Sequence, residues 1–250
     1  MTIPDLAGEG LQPFRARAGY GAILFDPQRV RQPGPELFDA GAWGGRAQPV
    51  GQGGRGAAWF VEDGELGPMV LRHYRRGGLP AKLVADRYLW RGADEARSFQ
   101  EFRLLKALRA LDLPVPTPIA AAYARDGLAC RADLLIERIP HTRSLAERHD
   151  DADDALWARV GETVARFHRA GVDHADLNAA NILVDDAGTV WLIDFDRGRQ
   201  RPPATRWRER NLRRLRRSLI KLRGGRPVDA VERDYAVLHA GYARAWASAL

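Results

Sequence analysis

Cys130 is the only cysteine in the 250-residue chain, so no internal disulfide can form, and a reducing, cytosolic setting is the simplest expectation. Long hydrophobic runs are missing as well, and no window approaches the length needed to span a bilayer, so no transmembrane segment is expected. The opening residues, 1–10, lack the basic and apolar regions of a signal peptide. There is no internal repeat and no long low-complexity tract. Lysine is almost absent: only Lys82, Lys106 and Lys221 occur, and arginine supplies the rest of the basic charge. A nucleotide-binding lysine therefore has three candidates.

What is present describes a globular protein. Hydrophobic content of 45% with 28% charged residues places the chain among packed domains rather than disordered ones, and its length suits one or two domains. A net charge of +7 predicts an anionic partner. Nucleic acid, acidic lipid and phosphorylated substrates all satisfy that requirement at this level.

The chemistry concentrates in one segment, from His174 to Asp196. It contains Asp176, an asparagine five residues on at Asn181, and Asp194 thirteen residues beyond that. This is the spacing of the catalytic loop and metal-binding segment of protein-kinase-like phosphotransferases. Asp176 is suited to accept the proton of an attacking hydroxyl. Asn181 and Asp194 offer the hard oxygen ligands that Mg²⁺ prefers, with ATP as phosphoryl donor. Residues 182–184 and 190–193 read as short buried strands joined by a turn at 185–188, which would bring Asn181 and Asp194 to the same end. An ordinary polar loop before a hairpin is the bland alternative, and the full spacing with both strands disfavours it. His174 reads as a brace for the loop. Asn178 stands where protein-serine kinases carry a loop lysine, so that γ-phosphate contact is absent. Arg197 or Arg199 is the nearby cation that would compensate.

The N-terminal half reads as strands and one helix. Residues 20–26 suggest a strand and 35–43 a short helix. A β-hairpin is expected with arms at 57–61 and 69–74 and its turn at 62–65. Gly51, Gly53, Gly54 and Gly56 precede it as a candidate phosphate-covering loop, since glycine lets backbone N–H groups approach phosphate oxygens. Arg72, on the second arm, occupies the place where most kinases put lysine. Glu101, on a helix expected over 98–111, is its expected partner, and Lys82 is the rival phosphate contact. A guanidinium forks to two oxygens whereas an ammonium is a point charge, so the two are not equivalent there. The helix shows Phe99, Phe102, Leu105, Leu108 and Leu111 on one face, and the proline-rich stretch 113–118 ends it.

A buried strand at 133–139 and a helix through Leu156, Val160, Val164 and Phe167 lead to the catalytic segment. Together these predict an α+β, protein-kinase-like bilobal fold, with a β-rich N-terminal lobe over 1–139 and a helical C-terminal lobe over 140–250. Residues 206–223 form an arginine-rich helix with Leu212, Leu215, Leu219 and Leu222 on one face. It suits either a core helix with a solvated basic face or a surface for anionic lipid headgroups or a phosphorylated substrate. No base-reading module is present, so no nucleic-acid partner is expected. Val231, Tyr235, Leu238, Tyr242 and Trp246 mark a last, core-packing helix.

Residues 53–60, 71–79, 82–88, 97–105, 113–116, 174–178, 192–196 and 211–218 together resemble the 3-deoxy-D-manno-octulosonic acid (Kdo) kinase family of Gram-negative lipopolysaccharide-core kinases. The likeness covers roughly 50–220, and Arg72 fits it. It implies ATP-dependent phosphorylation of the 4-hydroxyl of Kdo on a Kdo-lipid A precursor. It also implies peripheral contact with the anionic cytoplasmic face of the inner membrane. A kinase of another core sugar such as heptose, and a pseudokinase-type binding module, are the competing readings.

Overall fold

The computed structural model describes residues 8–16, 19–51, 58–74, 88–148 and 150–248. It is a mixed α+β structure that divides into two units. Met1–Ala107 with Pro116–Arg138 form the first, and Leu108–Val115 with Ile139–Leu250 form the second. Among the described residues, no helix is long and apolar enough to cross a membrane.

The first unit is an antiparallel sheet accompanied by a helix. Its strands are β1 (Gly10–Ala16), β2 (Gly19–Phe25), β3 (Ala47–Pro49), β4 (Ala58–Asp63), β5 (Gly67–His73), β6 (Tyr88–Leu89), β7 (Pro118–Asp126) and β8 (Ala129–Glu137). They run in the order β1-β2-β7-β8-β5-β4-β3, with β6 added to β8. The β4–β5 hairpin closes where the Asp63 carboxylate accepts the backbone N–H groups of Glu65 and Leu66 at 2.9 and 3.1 Å. Gly67 then enters β5 with φ +76°, a left-handed conformation that suits glycine. Period-two alternation buries Met69 and Leu71 in the core with Ile23, Ile119 and Leu135. It puts Arg72 on the other face.

Helix α1 (Arg97–Arg109) buries Phe99, Phe102, Leu105 and Leu108. Its Ser98 hydroxyl donates to the Ala122 carbonyl at 2.7 Å, tying its first turn to β7. The expected continuation to 111 does not occur: Asp112 turns left-handed at φ 53° and Leu111 is 49% exposed. Pro114 lies just beyond, and its carbonyl accepts the Leu192 N–H at 3.0 Å, which attaches residues 108–115 to the second unit. The helix expected at 35–43 shrinks to a single 3₁₀ turn, Pro35–Phe38. Asp39 is extended there and its carboxylate accepts the Gly41 N–H at 2.9 Å, an Asx-type turn that outcompetes helix continuation.

The second unit is mostly helical. It contains β9 (Thr142–Ser144), α2 (Leu145–Arg148), α3 (Asp154–Arg169), β10 (Val172–Asp173), β11 (Ile182–Asp185), β12 (Val190–Leu192), β13 (Arg199–Gln200), α4 (Thr205–Lys221) and α5 (Val228–Ala247). Asp153 caps α3 by accepting the Leu156 N–H at 2.8 Å. Leu156, Trp157, Val160, Val164 and Phe167 form its buried stripe. Helices α3 and α5 pack backbone to backbone. A Cβ on Gly161 would lie 2.0 Å from the Leu238 carbonyl oxygen, and one on Gly241 would lie 2.4 Å from that of Ala158.

Candidate active site

The β11–β12 hairpin sets the frame. Its turn is held by the Asp185 carboxylate, which accepts the Thr189 N–H at 2.8 Å and the Trp191 indole N–H at 2.9 Å. At the open end, the Ile193 N–H donates to the Asn181 carbonyl at 3.0 Å. Antiparallel pairing thus brings the backbone of Asn181 beside that of Asp194. Asp194 itself adopts φ 63°, a conformation L-residues with a Cβ rarely take. Such strain persists where surrounding contacts over-determine it, and functional sites are the commonest such places.

Between β10 and β11 the loop is fixed by its own polar side chains. The His174 ring is buried. Its Nδ1 accepts the Asp176 backbone N–H at 3.2 Å, and its Nε2 donates to the Ile193 carbonyl at 3.0 Å. A backbone N–H can only donate and a carbonyl can only accept, so the ring is neutral with its proton on Nε2. Burial pushes its pKa down from the usual histidine value, which agrees. Asn178 caps the 3₁₀ turn Ala179–Asn181, its Oδ1 accepting the N–H groups of Ala180 and Asn181 at 2.9 and 3.2 Å. The amide nitrogens of Asn178 and Asn181 both donate to the Asp176 carbonyl at 3.0 Å. Asn181 therefore turns its amide nitrogen into the loop and keeps Oδ1 as an acceptor.

The side chain of Asp176 is about half exposed, and α4 reaches it. Arg214 Nε and Nη2 each stand 2.9 Å from Asp176 Oδ1. Neighbouring residues of the same helix hold the loop on either side. Asn211 Oδ1 accepts the His174 N–H at 3.1 Å, and its nitrogen donates to Asp173 Oδ1 at 3.0 Å. Arg210 Nη2 donates to both Asp173 oxygens at 3.0 and 2.7 Å. Ser218 Oγ accepts the Ala179 N–H at 2.9 Å. Arg197 and Arg199 make no such contact with Asp176 among the described residues; the cation there is Arg214. The sequence did hold a signal for this. Asn211 and Ser218 are short polar residues seven apart on a helix made mostly of leucine and arginine, and Asn211 is buried.

The first unit carries a separate polar cluster. Arg72 Nη1 lies 2.7 Å from Glu101 Oε1, with the Glu101 side chain 1% exposed. The Tyr74 hydroxyl donates to the other oxygen of Glu101. The pairing of a β5 arginine with an α1 glutamate is thus present. Gly51 has φ +83° with open space around it. Gly53, Gly54, Gly56 and Lys82 lie outside the described residues.

Among the described residues, no group of three or more His, Cys, Asp or Glu side chains forms a metal cage. The donor set at the open end of the hairpin is different in kind: one amide oxygen from Asn181 and one carboxylate from Asp194. Two hard oxygen ligands, with phosphate and water oxygens completing the shell, suit Mg²⁺, which keeps much of its hydration. The residues present fit that ion.

Residues 40–242 match the model of the Lipopolysaccharide kinase (Kdo/WaaP) family, and the chain belongs to that family. Among curated relatives, the chain is 59% identical to the 3-deoxy-D-manno-octulosonic acid kinase of Stenotrophomonas maltophilia (strain R551-3), over 96% of both chains. It is 58% identical to the protein of the same name from Xanthomonas axonopodis pv. citri (strain 306), again over 96% of both.

Proposed function

We propose that this protein is a 3-deoxy-D-manno-octulosonic acid kinase of lipopolysaccharide-core biosynthesis, transferring the γ-phosphoryl group of ATP to the 4-hydroxyl of Kdo on a Kdo-lipid A precursor. The observation that carries the chemistry is the half-exposed carboxylate of Asp176, seated on a loop whose backbone Asn178 and Asn181 immobilise. The full-length likeness to Kdo kinases supports the acceptor and disfavours heptose and the pseudokinase reading.

In this reading the sugar hydroxyl oxygen attacks the γ-phosphorus, the bond to the β,γ-bridging oxygen breaks, and the hydroxyl proton passes to Asp176. Oδ1 of Asp176 is taken by Arg214, so Oδ2 is the proton acceptor. His174, neutral and bonded at both nitrogens, orients the loop and transfers no proton. Asn181 Oδ1 and the Asp194 carboxylate would hold Mg²⁺, which when bound neutralises the phosphate oxygens. Arg72, steadied by Glu101, is the cation for the nucleotide phosphates, with Gly51, Gly53, Gly54 and Gly56 covering them and Lys82 a second contact. The two units correspond in this reading to the small and large lobes of a protein-kinase-like fold. The net charge of +7 and a lipid-linked acceptor support a peripheral place on the cytoplasmic face of the inner membrane.

Mass spectrometry of a Kdo-lipid A precursor after incubation with enzyme, ATP and Mg²⁺ tests this. A mass gain of one phosphate, localised to the Kdo 4-position, is expected. Phosphate appearing only on a heptosylated core, or on neither acceptor, overturns it.

A further inference from the structure

Helix α4 has three faces with three different environments. Leu212, Leu215 and Leu219 are buried against the second unit's core. Asn211, Arg214 and Ser218 turn toward the catalytic loop. The third face carries Arg206, Arg213, Arg217 and Lys221, separated by seven, four and four residues and all exposed. That spacing keeps them on one side of a helix with 3.6 residues per turn.

The charges on this third face differ from those elsewhere in the same region. Arg210 pairs with Asp173, Arg214 with Asp176, Arg216 with Glu232 and Arg226 with Asp234. Arg206, Arg213, Arg217 and Lys221 make no ion pair among the described residues; Arg213 donates only to the Glu209 backbone carbonyl at 3.3 Å. Like charges a turn apart on a helix repel. An anion lying along the row offsets that repulsion; Glu209 stands between Arg206 and Arg213 in sequence but, among the described residues, no acidic side chain forms an ion pair with the row.

Length narrows the ligand. At about 1.5 Å rise per residue, the row from Arg206 to Lys221 extends roughly 22 Å, more than one sugar ring covers. Arg214 joins the row to Asp176, so whatever lies along it is continuous with the hydroxyl at the catalytic loop. We propose that the Arg206–Arg213–Arg217–Lys221 face docks the phosphate-bearing lipid A portion of the acceptor while its Kdo sugar sits at Asp176. This rests on the Kdo-kinase reading above and adds to it the surface that selects a phosphorylated glycolipid.

The test compares wild type with the Arg213→Ala, Arg217→Ala, Lys221→Ala triple variant. Both are assayed on a Kdo-lipid A precursor in uncharged detergent micelles and on the same precursor after phosphatase treatment. The triple variant should raise KM for the intact acceptor at least tenfold, with kcat at saturating acceptor and KM for ATP unchanged. On the dephosphorylated acceptor, the two proteins should have the same KM. An Arg213→Lys, Arg217→Lys variant should restore most of the affinity, which a merely structural role for arginine would not allow. An unchanged KM, or an equal rise on both acceptors, overturns the proposal. So does an effect that appears only on vesicles of anionic phospholipid, because it would assign the face to the bulk membrane. If wild type phosphorylates neither acceptor, the Kdo-kinase reading fails and this proposal falls with it.

Discussion

Arg214 and Asp176 stand 38 residues apart in sequence, yet two guanidinium nitrogens converge at 2.9 Å on one carboxylate oxygen. The side chains are 42% and 49% exposed, so the pair contributes little to stability, about 0–1 kcal/mol. Its effect is geometric. One oxygen is occupied, and among the described residues no hydrogen bond reaches the other. In a loop with Asn178 where protein-serine kinases carry lysine, this arginine from a distant helix is the cation beside the aspartate proposed as base.

Replacing Arg214 with alanine should therefore lower kcat roughly 10- to 100-fold, the scale expected when a reacting group is misplaced by about 1 Å. The thermal midpoint should move little. Steady-state kinetics beside a melting curve check both halves, and an unchanged kcat would remove Arg214 from the mechanism.

Asp176→Asn keeps the shape of the side chain but removes its capacity to take a proton. A loss of about 10²- to 10⁴-fold in kcat is expected, with folding intact because the side chain is half exposed. Phosphate transfer at the wild-type rate would exclude Asp176 as the base.

Arg72→Ala should cost stability as well as nucleotide binding. It takes the guanidinium from the buried Glu101 carboxylate, which keeps the Tyr74 hydroxyl, and breaking a buried pair on one side costs about 3–5 kcal/mol. Urea denaturation of Arg72→Ala, Arg72→Lys and Glu101→Gln checks this. The lysine variant should fall between wild type and alanine, because it keeps the charge and loses the fork.

Gly161→Ala and Gly241→Ala should each destabilise the second unit by about 1–3 kcal/mol or more. The added methyl would meet backbone carbonyls of Leu238 and Ala158, which cannot swing aside as a side chain would. Calorimetry of either variant should show a lowered midpoint; an unchanged one would mean α3 and α5 can separate at no cost.

Stability should fall on acidification through two buried histidines. Burial lowers the pKa of His168 to about 3 and depresses that of His174 as well. Below the unfolded value near 6.5, the unfolded chain binds protons that the folded one refuses, so stability drops as pH falls. For His168 the window runs from about 6.5 down to about 3, at ~1.4 kcal/mol per pH unit. His168→Asn keeps an acceptor for Tyr242, whose hydroxyl lies 3.0 Å from Nδ1, and removes the titration. Urea midpoints between pH 4 and 7 should slope less in that variant by about one proton.

Much of the local structure could be read from residue spacing. The β4–β5 and β11–β12 hairpins follow from alternating apolar residues around Asp- and Gly-containing turns, and α3 from its 3.6-residue apolar stripe. Strand β7 was not foreseen: its Ala120-Ala-Ala122 run has little strand propensity, and only sheet neighbours on both sides make it a strand. Leu222, expected on the leucine face of α4, lies past the helix end and is 39% exposed.

The sequence alone determined the spacing of Asp176, Asn181 and Asp194, because a short loop and a hairpin constrain residues that are close in the chain. The pairing of Arg72 with Glu101 could also be anticipated, since a strand and the next helix supply the two partners. Only the tertiary structure decided which cation serves Asp176. Arg197 and Arg199 are nearer in sequence, but Arg214 is nearer in space. A helix rotates each residue about 100° from the last, so only its packing decides which of many arginines faces the loop and which are left to solvent.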